Sequence, residues 1–220
     1  MGFVDIKVRE FRTELGGKPY HVVSPRLVVG RLFTTALGHG DWYIWGDETG
    51  FEQLAELAML AAVSPNTIVY VPKSDDTVRF RHDQSLPHDL VFANHQIQLL
   101  PSKWKEIRGR LGKSRLSTKS ILRPDPDTES PIVYKGQPAS DPVDLFQHSG
   151  TVFIVSSKPT LTFLAGEFQS VSTCESTGDH SHLFNLMRRG GGSESEDLTM
   201  VFAAPEDWQS AKGNSAIPTS

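Results

Sequence analysis

Positions 103–123 concentrate side chains that can bind phosphate or carboxylate groups. This segment holds eight basic residues and one acidic residue, a net charge of +7, whereas the other fourteen basic and 25 acidic residues give the rest of the chain −11. The basic residues are Lys103, Lys105, Arg108, Arg110, Lys113, Arg115, Lys119 and Arg123. Cations interleaved with serine and threonine hydroxyls are typical of surfaces that contact a phosphate backbone or dock an acidic protein. A solvated face and an internal partner for the acidic remainder stay open as interpretations, because no base-reading motif accompanies the cations.

Two adjacent carboxylates, Asp47 and Glu48, follow an apolar run of β-forming residues at 42–45. Because ligands of α/β proteins bind at the ends of buried strands, such a pair can hold a divalent metal or act as a general base. The same position also suits acids that stabilise the N-terminus of a helix. Asp47 and Glu48 are therefore the candidate catalytic residues if the protein is an enzyme.

A second possible metal site combines Asp179, His180 and His182, in which an H-x-H pattern on a strand would direct both rings to one side. Imidazole and carboxylate groups are common ligands of zinc and iron. Three further imidazoles lie within 14 residues of one another, at His82, His88 and His95. Neither set has a recognised ligand spacing, so a structural or solvated role competes with metal binding, and we expect no cofactor.

The composition limits the environment of the protein. A single cysteine, Cys174, excludes an internal disulfide and indicates a reducing compartment, so we expect a cytoplasmic protein. The adjacent Glu175 would raise the pKa of this thiol, which argues against a nucleophile. No run approaches the roughly 20 apolar residues of a membrane span, and a signal-peptide pattern is absent, so no membrane association is expected.

The elements that would position these groups centre on residues 41–72. Residues 42–45 predict a buried strand, and the capping-box pair Thr49 and Glu52 predicts a helix that begins near Gly50. This helix is apolar on all sides over residues 57–63, so it must be covered on all sides. Residues 67–71 predict a second buried strand, and the spacing indicates a parallel strand-helix-strand unit with a right-handed crossover.

The flanking sequence predicts further elements. Residues 4–9 and 20–23 predict a hairpin, and Ser24 followed by Pro25 predicts the start of a helix. Residues 77–81 and 89–93 predict strands, and Ser102 can cap a helix that ends near Leu111. Residues 113–140 are rich in serine, proline and lysine and are interpreted as a linker or long loop.

The pattern then recurs with an offset of 110 residues, which suggests a degenerate duplication. The matched pairs are Ile44 with Ile154, Phe51 with Leu161, Leu54 with Leu164, and Ala55 with Ala165. We therefore predict an N-terminal half at 1–112, the linker at 113–140, a related C-terminal half at 141–209 and a flexible tail at 210–220.

Taken together, these patterns predict an α/β or α+β fold with a mixed sheet. The predicted function is a non-catalytic binding or adaptor protein that works through protein–protein contacts, with the segment 103–123 engaging an acidic or nucleic-acid partner. The alternative, from another class, is a metal-assisted hydrolase or nuclease that uses Asp47, Glu48 and the histidines.

Overall fold

Alternating and continuous apolar runs of β-forming residues dominate the chain, and most of them form strands in the computed structural model. The structure describes residues 2–27, 30–36, 42–73, 78–80, 87–128, 141–182 and 198–210. The described strands are β1 (Phe3–Leu15), β2 (Lys18–Pro25), β3 (Leu32–Ala36), β4 (Trp42–Gly46), β5 (Thr67–Val71), β6 (Val78–Phe80), β7 (Asp89–Asn94), β8 (Arg115–Leu122), β9 (Asp144–His148), β10 (Thr151–Ser156), β11 (His180–His182), β12 (Leu198–Phe202) and β13 (Trp208–Ser210). The described helices are α1 (Glu48–Val63), α2 (Pro101–Gly109) and α3 (Lys158–Ser172), with short 3₁₀ helices at His95–Ile97 and Pro205–Asp207.

The strands form a mixed α/β fold with two main sheets. The larger sheet has the order β8-β1-β2-β5-β7-β10-β9, and the smaller has the order β11-β12-β4-β3. Neighbours are antiparallel except for β2 with β5 and β7 with β10 in the larger sheet, and β4 with β12 in the smaller. A separate ribbon pairs β6 with β13. The predicted mixed sheet is therefore confirmed.

Helices α1 and α3 pack against each other between the two sheets. Helix α1 lies on β5, β7 and β8 of the larger sheet, and α3 lies on β11 and β12 of the smaller. This position explains the apolar sequence of α1, because Leu57 and Leu60 are buried on a helix with neighbours on every side. Helix α2 covers the opposite face of the larger sheet, where Trp104 and Ile107 are fully buried in a second core.

The start of α1 is fixed by a carboxylate and a close backbone approach. Asp47 is the N-cap, and its Oδ1 accepts hydrogen bonds from the backbone N–H of Gly50 at 2.8 Å and of Arg31 at 2.9 Å. A Cβ atom on Gly50 would lie 2.5 Å from the Arg31 carbonyl oxygen, so glycine is needed there. The predicted capping box of Thr49 and Glu52 is wrong, because the helix already begins directly after Asp47.

The predicted crossover unit is also wrong. Strand β4 belongs to the smaller sheet and β5 to the larger, so α1 connects two sheets rather than two parallel neighbours. Ser24 and Pro25 end β2 and do not begin a helix. The segment 113–140 contains β8, so the interpretation as a linker or loop does not hold for residues 115–122.

The two halves repeat one order of elements and exchange strands. Apart from the ribbon strand β6, the first half runs β3-β4-α1-β5-β7, and the second runs β9-β10-α3-β11-β12. Within each half the hairpin strand pairs in parallel with the last strand of the other half, β4 with β12 and β10 with β7. The order β3-β4-β12-β11 is thus repeated as β9-β10-β7-β5. This arrangement supports the predicted duplication, and the matched residues Leu161, Leu164 and Ala165 lie in a helix, α3, as their counterparts lie in α1.

Candidate polyanion-binding surface

The eight basic residues of the segment lie on α2, on the turn after it and along β8, which is an edge strand of the larger sheet. Lys103, Lys105 and Arg108 belong to α2, whereas Arg115 and Lys119 belong to β8. Strand β8 pairs with β1 on one side, and no strand pairs with its other side in the described part of the chain. Of the four cations of the segment predicted on a linker or loop, Arg115 and Lys119 therefore lie on a regular edge strand, whereas Lys113 precedes it and Arg123 follows it.

Arg108 is neutralised inside the protein. Its Nη1 lies 2.5 Å from Oδ2 of Asp89, and the same guanidinium donates to the Thr151 hydroxyl at 3.3 Å. Asp89 is buried, and it also accepts hydrogen bonds from the Lys73 backbone N–H and the Tyr70 hydroxyl. Burial, followed by the charge of Asp89, raises the pKa of Tyr70 to about 12. Arg108 therefore connects α2 to β7 and β10 of the larger sheet and is not counted among the cations that could bind an external partner.

Lys119 is also engaged, in a polar chain that crosses four strands. Its Nζ lies 2.6 Å from Oε1 of Glu10, which also accepts a hydrogen bond from the Ser117 hydroxyl. These bonds lower the pKa of Glu10 from 4.5 to about 2. The chain continues from Glu10 to His21 Nε2 at 3.2 Å and from His21 Nδ1 to the Thr67 hydroxyl at 3.0 Å. Since Thr67 is buried, we interpret this carboxylate–imidazole–hydroxyl chain as a link between strands.

Arg110 is the third engaged cation. Its guanidinium contacts Glu106 at 2.6 Å and donates to the Glu14 carbonyl at 2.9 Å. Both side chains of the ion pair are about half exposed, so the pair contributes little to stability. It nevertheless offsets the charge of Arg110 locally.

The other five basic residues of the segment are exposed and form no salt bridge with any described residue. They are Lys103, Lys105, Lys113, Arg115 and Arg123. The register of β1 places Lys7 opposite Thr118 and Arg9 opposite Leu116, and the Arg26 backbone N–H donates to the Lys7 carbonyl. Sequence reasoning missed these three exposed cations. The alternation of residues 4–9 predicts that Lys7 and Arg9 face solvent, but nothing in the sequence pairs β1 with a strand more than a hundred residues later.

Exposed apolar side chains lie at both ends of β8, beside cations of β1 and β8. Phe3 is 74% exposed and is in register with Leu122, which is 36% exposed, while Leu116 is 59% exposed. Residues at these alternating positions share one face of the β1–β8 ribbon. This face also carries the exposed Asp5, opposite Ser120, whereas Arg115 belongs to the opposite face of β8. We call the face and the exposed cations of the region the basic ribbon surface; these cations are Lys7, Arg9, Arg26, Lys103, Lys105, Lys113, Arg115 and Arg123.

The candidate catalytic acids take no part in a metal cluster. The Asp47 carboxylate caps α1, and Glu48 is exposed in the first turn of that helix. Among the described residues, no group of three or more histidine, cysteine, aspartate or glutamate side chains could hold a metal ion. The structure thus places Asp47 and Glu48 where acids stabilise a helix N-terminus.

The H-x-H pattern does bring two rings together. His180 and His182 lie on β11 with ring centroids 4.6 Å apart. Nδ1 of His180 contacts the Gly178 carbonyl at 2.7 Å, whereas the Asp179 carboxylate accepts from the Ser176 backbone N–H. Asp179 therefore does not join the two imidazoles as a third ligand.

The remaining candidate groups are spread over the fold. His88 contacts Gln147 at 2.6 Å and His95 lies 3.5 Å from Asp144, while His82 lies outside the described residues. Burial raises the pKa of the Cys174 thiol, so it is a poor nucleophile at neutral pH.

A cleft of about 360 Å³ lies where β1 extends beyond its pairing with β2, beneath α1. Its apolar residues are Ile6, Val8, Pro25, Leu27 and Leu57. Glu56 also lines the cleft, and burial followed by the charge of Glu52 raises its pKa, while Arg123 acts in the opposite direction.

Comparisons of the chain with models of protein families, with curated proteins and with solved structures found no significant match. In the part of the chain that the structure describes, every helix is too short or too polar to cross a bilayer.

Proposed function

We propose that the protein is a non-catalytic binding protein that docks an acidic protein partner on the basic ribbon surface. The observation that carries this proposal is the separation of the cations into two groups. Arg108, Arg110 and Lys119 are engaged internally, whereas Lys103, Lys105, Lys113, Arg115 and Arg123 are exposed without an ion pair among the described residues. Exposed cations of this kind can attract an acidic partner over the length of a Debye screening distance.

Two features favour a protein over a nucleic acid. The chain outside 103–123 has a net charge of −11, which repels a long polyanion that extends past the basic ribbon surface. Arg9 is also in register with the exposed Leu116, and Arg123 directly follows the exposed Leu122. Apolar contacts beside charged groups are typical of protein interfaces. The alternative hydrolase or nuclease has less support, because two backbone N–H groups engage the Asp47 carboxylate.

Charge reversal tests the proposal. The test variant replaces three exposed cations by glutamate: Lys103, Lys113 and Arg115. The control variant makes the same change in net charge at exposed positions elsewhere: Arg12, Lys73 and Lys158. Binding of poly-glutamate, duplex DNA and single-stranded RNA is measured by fluorescence anisotropy over a salt series that starts near 50 mM.

We expect the wild-type protein to bind poly-glutamate with an affinity that falls as salt rises, and the test variant to bind at least about tenfold more weakly with a flatter salt dependence. The control variant should keep most of the affinity. Equal losses in both variants would assign the effect to net charge alone. Preferential binding of DNA or RNA would indicate that the partner is a nucleic acid rather than an acidic protein. If the wild type bound none of the probes, the proposal would be overturned.

A further inference from the structure

We propose that the acidic partner binds as an additional strand along the outer edge of β8, as an extended segment that alternates acidic and apolar residues. This inference rests on the proposed function, because it names how the same surface is recognised. Strand addition to a sheet edge supplies affinity through the backbone and selectivity through alternate side chains.

Among the edges of the two main sheets in the described part of the chain, β8 is the longest. It has eight residues, whereas β9 and β3 have five each and β11 has three. Natural edge strands are commonly protected by proline, by outward-pointing lysine or by short length. Strand β8 contains no proline, and its one lysine is turned onto Glu10 at 2.6 Å.

The register shows which backbone groups face outward. The Arg123 backbone N–H donates to the Gly2 carbonyl, so odd-numbered residues at this end of β8 exchange hydrogen bonds with β1. Because alternate residues direct their N–H and C=O groups to opposite sides of a strand, the even-numbered residues direct theirs away from β1. These residues are Leu116, Thr118, Ser120 and Leu122.

The side chains specify the chemistry of the added strand. On one face, Leu116 and Leu122 are exposed and can pack against apolar side chains of a neighbouring strand. On the other face, Arg115 is exposed and forms no salt bridge with a described residue, so it can pair with a carboxylate. Apolar contacts at the two leucines of one face and a cation at Arg115 on the other correspond to a segment in which apolar and acidic residues alternate.

The experiment uses the full chain and an eight-residue peptide of alternating glutamate and valine. Thr118→Pro removes one outward N–H and leaves the ladder to β1 intact, since proline is tolerated where the N–H faces solvent. The matched control, Thr118→Ala, removes the side chain but keeps the N–H. We expect Thr118→Pro to weaken peptide binding at least about tenfold, whereas Thr118→Ala binds as the wild type does and both variants still bind poly-glutamate.

A second arm leaves the protein unchanged. Two versions of the peptide are compared, one N-methylated at its odd-numbered residues and one at its even-numbered residues. One version should lose binding, because its methyl groups replace the N–H groups that face β8, while the other version should still bind. If neither version loses binding, or if Thr118→Pro binds as well as Thr118→Ala, strand addition is overturned while the proposed function stands. If the wild type binds neither this peptide nor poly-glutamate, both fail. A lower melting temperature of Thr118→Pro would leave the N-methylated peptides to decide the outcome.

Discussion

Glu10 connects the edge strand that carries the basic ribbon surface to the rest of the larger sheet. Its carboxylate bonds to Lys119 and Ser117 on β8 and to His21 on β2. We expect Glu10→Gln to lower the free energy of unfolding by about 1–2 kcal/mol, because charge-assisted hydrogen bonds are lost in a partly buried setting. The measurement is urea unfolding at pH 7, with Glu14→Gln on the same strand as an exposed control.

The pKa of Glu10 sets the pH dependence of this contribution. Its pKa falls from 4.5 to about 2 in the folded state, so the unfolded chain binds the proton more tightly. The contribution is therefore present above pH 4.5 and is lost as the pH falls toward 2. The melting temperatures of the wild type and of Glu10→Gln should converge over this range, and parallel curves would show that the carboxylate charge is not responsible.

Counting charged residues in the sequence does not predict which individual cations are exposed and unpaired. The excess of cations at 103–123 can be counted in the sequence. The sequence also suggests that some of them pair with acidic residues elsewhere in the chain. Only the Glu106–Arg110 pair follows from helical spacing. The partners of Arg108 and Lys119, Asp89 and Glu10, lie on other strands, so only the tertiary fold identifies which cations remain exposed.

At the scale of elements, the apolar sequence of α1 predicts that the helix is buried but does not predict which sheets its neighbouring strands belong to. The apolar run over 57–63 requires cover on all sides, and the structure supplies it with the larger sheet and α3. The run does not indicate that the strand before the helix and the strand after it, β4 and β5, belong to different sheets. For this reason the burial of α1 is confirmed, whereas the crossover within one sheet is wrong.

Helix α1 also gives a direct test of that burial. Leu60 is 3% exposed and Val63, in the same helix, is 44% exposed. We expect Leu60→Asp to prevent folding, because it buries a charge without a partner, while Val63→Asp changes the free energy of unfolding by less than about 1 kcal/mol. Circular dichroism and thermal melting of the two variants make the comparison, and a cooperatively melting Leu60→Asp variant would contradict it.

The repeated helix starts show that equivalent positions can exchange chemistry. Residues 31 and 47 correspond to residues 141 and 157 with the same offset of 110. In the first half the Asp47 carboxylate accepts the Arg31 backbone N–H, and in the second the Ser157 hydroxyl donates to the Asp141 carboxylate. Both halves therefore connect the two equivalent positions by a hydrogen bond. The carboxylate is at the second position, Asp47, in the first half and at the first position, Asp141, in the second half. A comparison of residue types at equivalent positions therefore does not reveal the shared contact.

The sequence does not predict strand β8, because its residues resemble those of a loop. Its sequence of serine, threonine and lysine has one fully buried side chain, Ile121, and resembles a polar linker. The strand is specified by pairing with β1 rather than by its own pattern, because β-propensity depends strongly on neighbours. A sequence method that reads one segment at a time therefore assigns it to a loop.

At the scale of the whole molecule, the halves expected at 1–112 and 141–209 are interleaved. The first half gives β3 and β4 to the smaller sheet and β5 and β7 to the larger, and the second half gives β9 and β10 to the larger and β11 and β12 to the smaller. Each sheet therefore requires both halves. Repeats in the sequence predict two related units, but they do not indicate which strands the units exchange.

Interleaving predicts that the two sheets unfold together. Loss of β4 removes the parallel partner of β12, and α1 follows β4 directly and supports the larger sheet, so neither sheet can keep its pairing alone. Native-state hydrogen exchange in increasing denaturant should give β4, β12, β7 and β10 one common free energy of opening. Amides of β8 that face away from β1 serve as an internal control and should exchange earliest, without opening of either sheet, because no described strand pairs with them. If β4 and β12 exchanged at a clearly lower free energy than β7 and β10, the smaller sheet would be an independent unit, and the exchange of strands would not couple the halves.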